Sequence, residues 1–240
     1  MRLIVCESYD EISKKAAEFV KAQILLKKNS VLGLATGSTP IGMYKELVLS
    51  YKNGEVDFSQ AVTFNLDEYF PIDEDNEQSY HYYMKKNFFD GVNVRPENIH
   101  MPPGRTDNPE KACRLYDEAI INAGGIDLQI LGIGRNGHLG FNEPDAALDS
   151  ATHVGTLTEN TIEANSRFFE SEEDVPKKAI TMGLSSIMKS SMILLLVSGK
   201  EKHEALCGLL SGKVSTKNPS SVLNMHKNAV IICDKEAENG

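Results

Sequence analysis

The loop Gly134–Pro144 holds the densest group of reactive residues in the sequence and follows the apolar run Leu128–Gly132. Its glycines let the backbone turn tightly and approach a ligand closely, and His138 is the side chain best suited to proton transfer near neutral pH. Glu143, five residues later, could orient the imidazole. Lone histidines are usually structural, but this setting after an apolar strand indicates a site of proton transfer.

Two adjacent acids, Asp67 and Glu68, end the β-branched and aromatic run that begins at Val62. A carboxylate shielded from water at a strand end has a raised pKa and can exchange a proton with a substrate carbon. Alternation along an extended chain lets only one of the two face a cleft. The alternative is that either acid caps a helix or faces solvent.

A third segment, Val31–Thr36, is followed by Gly37, Ser38 and Thr39 and then by a predicted helix, Pro40–Ser50. Unpaired backbone N–H groups at such a helix start, helped by the hydroxyls, can hold a phosphate. The alternative is a plain turn with a capping serine. The segment is not a Walker A loop, because no lysine follows at the required spacing, and it lacks the dinucleotide fingerprint.

Two cations could complete a phosphate site. Arg167 lies in Asn165–Phe169, and Lys202 follows the apolar run Met192–Val197 at a predicted helix start. Arginine binds phosphate in bidentate fashion and lysine acts as a point charge, although either could equally be a solvated surface residue. No catalytic metal is predicted, because the other histidines lack metal-ligand spacing: His81, His100, His153, His203 and His226.

The chain alternates β-rich runs with helical stretches, which is typical of a mostly parallel α/β sheet with helices on both faces. Predicted strands are Arg2–Cys6, Val31–Thr36, Ala61–Leu66, Leu128–Gly132, Met192–Val197 and Ala229–Cys233; predicted helices are Ser8–Leu26, Pro40–Ser50, Ser79–Phe88, Lys111–Asn122 and Lys200–Leu210. No repeat or linker marks a boundary, so residues 1–240 are expected to form a single domain. The stretch 145–178, weakest in sheet signal, is interpreted as a mobile lid.

A net charge of -9 argues against a general affinity for nucleic acid or anionic membranes. The first residues carry no signal-peptide pattern, and the longest apolar run is too short to span a bilayer, so a cytoplasmic location is expected. The four cysteines are scattered and are expected to be buried and reduced.

Taken together, these segments resemble the glucosamine-6-phosphate deaminase family, also called glucosamine-6-phosphate isomerase. The matching segments are Leu32–Pro40, Val62–Tyr69, Asn87–Asp90, Gly132–Pro144, Asn165–Phe169 and Gly199–Lys202. They follow the family's order and span essentially the whole chain. Phe64–Tyr69 and Gly137–Pro144 are highly specific, whereas the loop with Ser38 is shared with 6-phosphogluconolactonases.

The resemblance implies a Rossmann-like fold and conversion of D-glucosamine 6-phosphate and water into D-fructose 6-phosphate and ammonia, without a metal or organic cofactor. His138, supported by Glu143 and Asn136, would open the pyranose ring, and Asp67 would move a proton from C2 to C1. The residues implied in substrate and phosphate binding are Gly37, Ser38, Thr39, Arg167 and Lys202.

The sequence departs from the family pattern at two places. Many members have aspartate where this chain has Asn136, which can orient the imidazole by hydrogen bonding but adds no charge. The C-terminus is also shorter than in hexameric, allosterically activated members, so a monomer or small homo-oligomer is expected.

Three rivals share parts of this pattern. A 6-phosphogluconolactonase needs no carbon base, so Asp67 argues against it; a pentose-phosphate isomerase would release no ammonia. A non-catalytic sugar-phosphate sensor would not need Asp67, His138 and Glu143 together.

Overall fold

The structure is a computed structural model that describes residues 1–166, 169, 171 and 174–240, without the side chains at 160 and 164. The strands are β1 (Arg2–Cys6), β2 (Val31–Leu34), β3 (Val62–Asn65), β4 (Asp67–Phe70), β5 (Ile99–His100), β6 (Leu128–Gly132), β7 (His153–Thr156), β8 (Lys178–Thr181), β9 (Met192–Val197) and β10 (Ala229–Asp234). The helices are α1 (Tyr9–Leu26), α2 (Ile41–Lys52), α3 (Tyr80–Asn87), α4 (Pro109–Asn122), α5 (Glu159–Ser166), α6 (Leu184–Met188), α7 (His203–Leu210) and α8 (Lys235–Asn239).

Seven strands form one sheet in the order β1-β10-β9-β6-β2-β3-β5, and each neighbouring pair is parallel. The central strands read as continuous apolar runs because they are buried on both faces; all four residues of β2, for example, are buried. The predicted class, a mostly parallel single-domain α/β fold of Rossmann-like type with helices on both faces, is confirmed.

Helices α1 and α3 begin at their predicted positions, and a serine caps each of them. The Ser8 hydroxyl accepts a hydrogen bond from the Glu11 N–H at the start of α1, and Ser79 does the same for Tyr82 in α3. Each cap satisfies an N–H group that has no partner within its helix. Along α1 the buried positions recur at helical spacing and face the sheet: Ile12, Ala16, Ala17, Val20 and Ile24.

A second, antiparallel sheet of order β4-β8-β7 was not predicted. The chain passes from β3 to β4 through Leu66, whose N–H binds the Leu34 carbonyl of the main sheet and whose carbonyl accepts from the Met182 N–H after β8. This crossing places Asp67, the first residue of β4, at the junction of the two sheets. The small sheet has its own buried cluster: Tyr69, Ile72, Phe141, Leu157 and Ala179.

The stretch 145–178 therefore contains more regular structure than its composition indicates. Strand β7 and helix α5 lie within it, and its last residue, Lys178, begins β8. The weak sheet signal is explained by position, because β7 is an edge strand whose residues are all partly exposed or exposed. That this stretch moves as a lid remains a prediction.

Three of the four cysteines are buried as expected, but Cys207 is exposed, so the expectation was wrong at that position. Cys207 lies on α7 with its Sγ 3.4 Å from Nε2 of His203. Burial raises the pKa of Cys113 and of Cys233 to about 11 and also raises the pKa of Cys6. These three thiols are therefore held in the unreactive protonated form.

We expect one thiol per native chain to react with Ellman's reagent at neutral pH, since only a solvent-accessible thiolate attacks it readily. Unfolding in guanidinium should expose all four thiols. Absorbance at the thionitrobenzoate band measures both numbers. A Cys207→Ser variant should show almost no native reaction; rapid reaction of that variant would mean that a buried thiol opens to solvent.

Within the described ranges, no helix combines the length and the hydropathy needed to cross a membrane.

Candidate active site

A cavity of about 150 Å³ lies at the carboxyl ends of the central parallel strands, where ligands bind in open α/β sheets. Three of its walls come from segments that follow β2, β3 and β6, and a fourth comes from the turn after β9. Helix α5 closes the cavity from the side of the small sheet. The lining residues on which the site depends are Ser38, Thr39, Asp67, His138, Thr161 and Lys202.

Asp67 is buried at one wall of this cavity, with 5% of its surface exposed. No hydrogen bond between described residues satisfies its carboxylate. Burial, together with the nearby charge of Glu68, raises the pKa of Asp67 to about 8. A carboxyl group with such a pKa can both take and return a proton near neutral pH.

Glu68 points away from the cavity, as the alternation along β4 requires. It is completely buried, and its carboxylate accepts hydrogen bonds from the N–H groups of Tyr69, Tyr80 and His81. Its Oε2 also lies 2.7 Å from Nδ1 of His81. Both interpretations of the acid pair therefore apply, one to each residue: Asp67 faces the cavity and Glu68 caps α3.

The loop after β6 turns back tightly on itself. The Gly134 N–H donates to the His138 carbonyl and the Gly137 N–H donates to the Gly134 carbonyl, with Gly137 at a φ of 85°. A Cβ atom at position 134 would lie 2.3 Å from Cε1 of His138. Glycine is therefore required there, because the imidazole packs directly against the Gly134 backbone.

His138 and Glu143 form a hydrogen-bonded pair, with 3.2 Å between Nδ1 and Oε2. Burial by itself would raise the pKa of Glu143, but hydrogen bonds from His138, Thr161 and Asn136 and the charge of His138 lower it to about 2. An ionised carboxylate only accepts, so Nδ1 of His138 carries a hydrogen. In the neutral ring, Nε2 is then the basic nitrogen.

Asn136 supports this pair differently from the expectation that it orients the ring. Its Nδ2 donates to Glu143 Oε2 at 2.8 Å, and its Oδ1 accepts from the His138 N–H at 3.2 Å. Among the described residues, its side-chain hydrogen bonds therefore reach the carboxylate and the main chain rather than the imidazole. Asn136 holds the pair indirectly, through Glu143.

Gly140 brings the two halves of the site together. It has a φ of 59°, and a Cβ atom there would lie 3.1 Å from Oδ2 of Asp67. The following residues fix the loop against the end of β8, since the Phe141 N–H donates to Thr181 Oγ1 and Asn142 Nδ2 donates to the Met182 carbonyl. The histidine loop and the buried carboxylate thus share one cavity.

The loop after β2 is held by hydroxyl groups that bind its carbonyls. Tyr44, Tyr83 and Tyr9 donate to the carbonyl oxygens of Ala35, Gly37 and Ser38, respectively. Within the described part of the chain, no hydrogen bond uses the N–H groups of Gly37, Ser38 and Thr39. These N–H groups and two hydroxyls at the start of α2 form a site suited to an oxyanion.

The predicted residues come together except for one that cannot be placed. Lys202 lines the same cavity as Ser38 and Thr39. Arg167 lies outside the described residues. In the described ranges, no cluster of three or more His, Cys, Asp or Glu side chains is arranged to hold a metal ion.

Two cavity residues, Thr161 and Tyr80, lie outside the segments whose sequence indicated chemistry, and Asn165 lies inside one of them but had no predicted role. Thr161 and Asn165 are one turn apart on α5, a spacing that indicates a shared face but not what the face contacts. Tyr80 belongs to an aromatic cluster and stacks on Phe141 with ring centroids 6.0 Å apart. Aromatic residues at helical spacing are ordinarily core, so its exposure to the cavity had no sequence signal.

Fold and site together define an α/β protein in which a buried carboxyl group, a histidine–glutamate pair and the loop after β2 surround one cavity. The family model described as glucosamine-6-phosphate isomerases/6-phosphogluconolactonase matches residues 7–232. The chain belongs to this family.

Relatives and solved structures agree with this placement. Proteins named glucosamine-6-phosphate deaminase from Thermoanaerobacter sp. (strain X514) and Clostridioides difficile (strain 630) are 59% and 56% identical, with 99% of this chain and 94% and 95% of theirs covered. The solved structure of a monomeric glucosamine-6-phosphate deaminase superposes with a TM-score of 0.97 at 44% identity, covering 99% of this chain and 98% of the other. The 6-phosphogluconolactonase from Thermotoga maritima shares the fold alone, with a TM-score of 0.76 at 20% identity over 98% and 99% of the two chains.

Proposed function

We propose that this chain converts D-glucosamine 6-phosphate and water into D-fructose 6-phosphate and ammonia. The observation that carries the proposal is the buried Asp67 carboxylate facing the same cavity as the His138–Glu143 pair. An aldose-to-ketose conversion needs one group to open the sugar ring and a second to move a proton between neighbouring carbons. The names of the relatives that are 56% and 59% identical support the same reaction.

Phosphate binding comes first in this mechanism. The N–H groups of Gly37, Ser38 and Thr39 donate to the phosphate oxygens, together with the two hydroxyls and the ammonium of Lys202. Arg167 is proposed as the second cation, and the stretch 145–178 is proposed to close over the bound sugar. Closure would exclude water that could protonate a carbanion-like intermediate.

Ring opening uses His138. Its Nε2 takes the proton of the anomeric hydroxyl and returns a proton to the ring oxygen as the C1–O5 bond breaks. Glu143 and the Nδ1 hydrogen keep the imidazole in the required tautomer and stabilise its charged form. The product of this step is the open-chain aldehyde, with the amino group still on C2.

Proton transfer at carbon uses Asp67. The carboxylate takes the C2 proton while the substrate's own ammonium group on C2 gives a proton to the C1 oxygen, which leaves a neutral enolamine. Asp67 then returns its proton to C1, leaving a protonated imine at C2. Water adds to that imine and ammonia leaves, giving the ketose.

The lactonase alternative does not use the most unusual feature of the site. Hydrolysis of a lactone needs an activated water, which His138 could provide, but it needs no buried carboxyl group with a raised pKa. Asp67 has that property. A sensor that does not turn over its ligand would have no use for either acid–base centre.

We further propose that the active form is a monomer or a small homo-oligomer.

The deciding experiment incubates the purified chain with glucosamine 6-phosphate and measures ammonia and fructose 6-phosphate in parallel. We expect equal amounts of the two products. Parallel incubations with 6-phosphogluconolactone and ribose 5-phosphate should give rates near the uncatalysed background. Turnover of the lactone without ammonia release from the amino sugar would favour the lactonase.

A further inference from the structure

Thr161 contacts the carboxylate on which His138 depends. It lies on α5 with only 3% of its surface exposed, and its hydroxyl donates to Oε1 of Glu143 at 2.5 Å. The same hydroxyl oxygen lies 3.5 Å from Nδ1 of His138. Glu143 therefore receives hydrogen bonds on both oxygens, from its own loop on Oε2 and from α5 on Oε1.

The Thr161 hydroxyl is itself held from behind. Thr158, immediately before α5, donates from its Oγ1 to Thr161 Oγ1 at 3.2 Å. The Thr161 N–H in turn donates to the Thr158 carbonyl at 3.0 Å. Two hydroxyls in series polarise each other, so the bond to the carboxylate is stronger than one from an isolated threonine.

The same face of α5 also forms part of the cavity wall. Asn165, one turn after Thr161, lines the cavity, whereas Glu159 and Glu163 of this helix are exposed. The remaining titratable groups of the cavity come from other elements: Arg135 and His138 after β6, Asp67 in β4, Tyr80 in α3, and Glu201 and Lys202 after β9. The contribution of α5 at Glu143 is therefore a neutral hydrogen bond and not a charge.

We propose that Thr161 is a positioning residue for ring opening, which holds the Glu143 carboxylate against His138 only while α5 is docked over the cavity. This inference rests on the proposed function. Under this proposal, helix α5 has two roles: it covers the bound sugar, and it holds in place the His138–Glu143 pair that opens the sugar ring. An undocked α5 would leave Glu143 without the bond to Oε1 and the imidazole less well oriented.

The test replaces Thr161 by valine, which keeps the shape and removes the hydroxyl. Loss of a hydrogen bond to a charged group should lower kcat at least about 10-fold, with KM within about twofold of the wild type. Thr161→Ser should restore kcat to within about threefold, because serine keeps the donor. Thr161→Ala replaces the valine variant if thermal unfolding shows that valine is not accommodated.

A double-mutant cycle separates positioning from a general structural role. If Thr161 acts through Glu143, then Thr161→Val should cause almost no further loss of kcat in a Glu143→Gln background. The matched control is Thr152→Val, which removes another buried threonine hydroxyl bonded to a carboxylate, that of Asp117, outside the cavity. It should lower thermal stability without lowering kcat.

Full kcat in Thr161→Val, or additive losses in the double variant, would overturn the inference while leaving the proposed function intact. A wild-type protein that releases no ammonia would instead refute the proposed function. Retained KM, reduced kcat, rescue by serine and non-additivity with Glu143→Gln together support the positioning role.

Discussion

Replacing Asp67 by asparagine should lower kcat for ammonia release by about 10³-fold, because an amide replaces the buried carboxyl group that faces the cavity and moves a proton at carbon. The protein should remain folded, since asparagine has nearly the same shape. Steady-state ammonia production against substrate concentration measures the effect. Glu68→Gln is the matched comparison, and we expect it to act mainly on stability, because that carboxylate caps α3.

The pH dependence of kcat/KM should report the ionisation of the same carboxyl group, that of Asp67. Asp67 must be ionised to take the C2 proton, and its pKa is about 8 in the free enzyme. We therefore expect kcat/KM to rise with pH and to level off above about 8. In the complex, the substrate ammonium next to Asp67 favours the carboxylate, so the corresponding limb of kcat should lie at lower pH.

The raised pKa of Asp67 also makes the free energy of unfolding depend on pH. Between the ordinary pKa of 3.8 and about 8, the folded protein binds the Asp67 proton and the unfolded chain does not. The contribution of Asp67 to the free energy of unfolding therefore falls as pH rises through that range, by up to about 1.4 kcal/mol per pH unit. Asp67→Asn removes this slope and should be more stable than the wild type at pH 8. For catalysis, an Asp67→Asn variant with full kcat and an unchanged pH profile of kcat/KM would contradict the role of Asp67 in proton transfer at carbon.

Replacing His138 by glutamine should lower kcat/KM by about 10²-fold, because loss of a general acid–base group costs 10² to 10⁴ and some open-chain sugar forms without it. Binding of the phosphate should change little, since the loop after β2 does not involve His138. Steady-state kinetics measures the loss, and inhibition by inorganic phosphate reports the binding.

The Glu143→Gln variant checks that the carboxylate acts through the imidazole. Alone, it should lower kcat/KM by about 10-fold or more, because it removes a charge-assisted hydrogen bond to His138. In the His138→Gln background it should add almost nothing. Independent losses of full size in the double variant would show that Glu143 has a separate role.

The main sheet could be predicted because its strands carry their own signal. Segments such as Met192–Val197 are continuous apolar runs bounded by polar residues, and that pattern depends only on burial within the sheet. The helix starts at Ser8 and Ser79 are also local, since the capping hydroxyl and the N–H it accepts from are three residues apart. Local patterns of this kind do not need the rest of the fold.

The small sheet could not be predicted, because its pairing joins distant segments. Strand β4 begins with two acids and follows β3 after one residue, so Asp67–Phe70 resembles the end of a strand. It becomes a strand by pairing with Lys178–Thr181, far along the chain. A strand defined by its partner carries a weak propensity signal.

The residues of the candidate site also differ in whether local sequence or distant contacts determine their role. The acid pair and the histidine loop are recognisable from residue type and spacing, whereas Thr161 resembles an ordinary hydroxyl near a helix start. Its contact with Glu143 exists only because the chain carries α5 back over the histidine loop between β7 and β8. The distinct roles of Asp67 and Glu68 likewise depend on the register of β4, which the sequence does not state.

The most direct test follows the hydrogen at C2. Glucosamine 6-phosphate carrying deuterium at C2 is converted by the wild type and by Asp67→Asn, and C1 of the fructose 6-phosphate is examined by NMR. Because one shielded carboxyl group takes and returns the proton, we predict deuterium in part of the wild-type product, at a single C1 position, and negligible product from the variant. Deuterium shared equally between both C1 positions, or wild-type turnover by Asp67→Asn, would contradict the account.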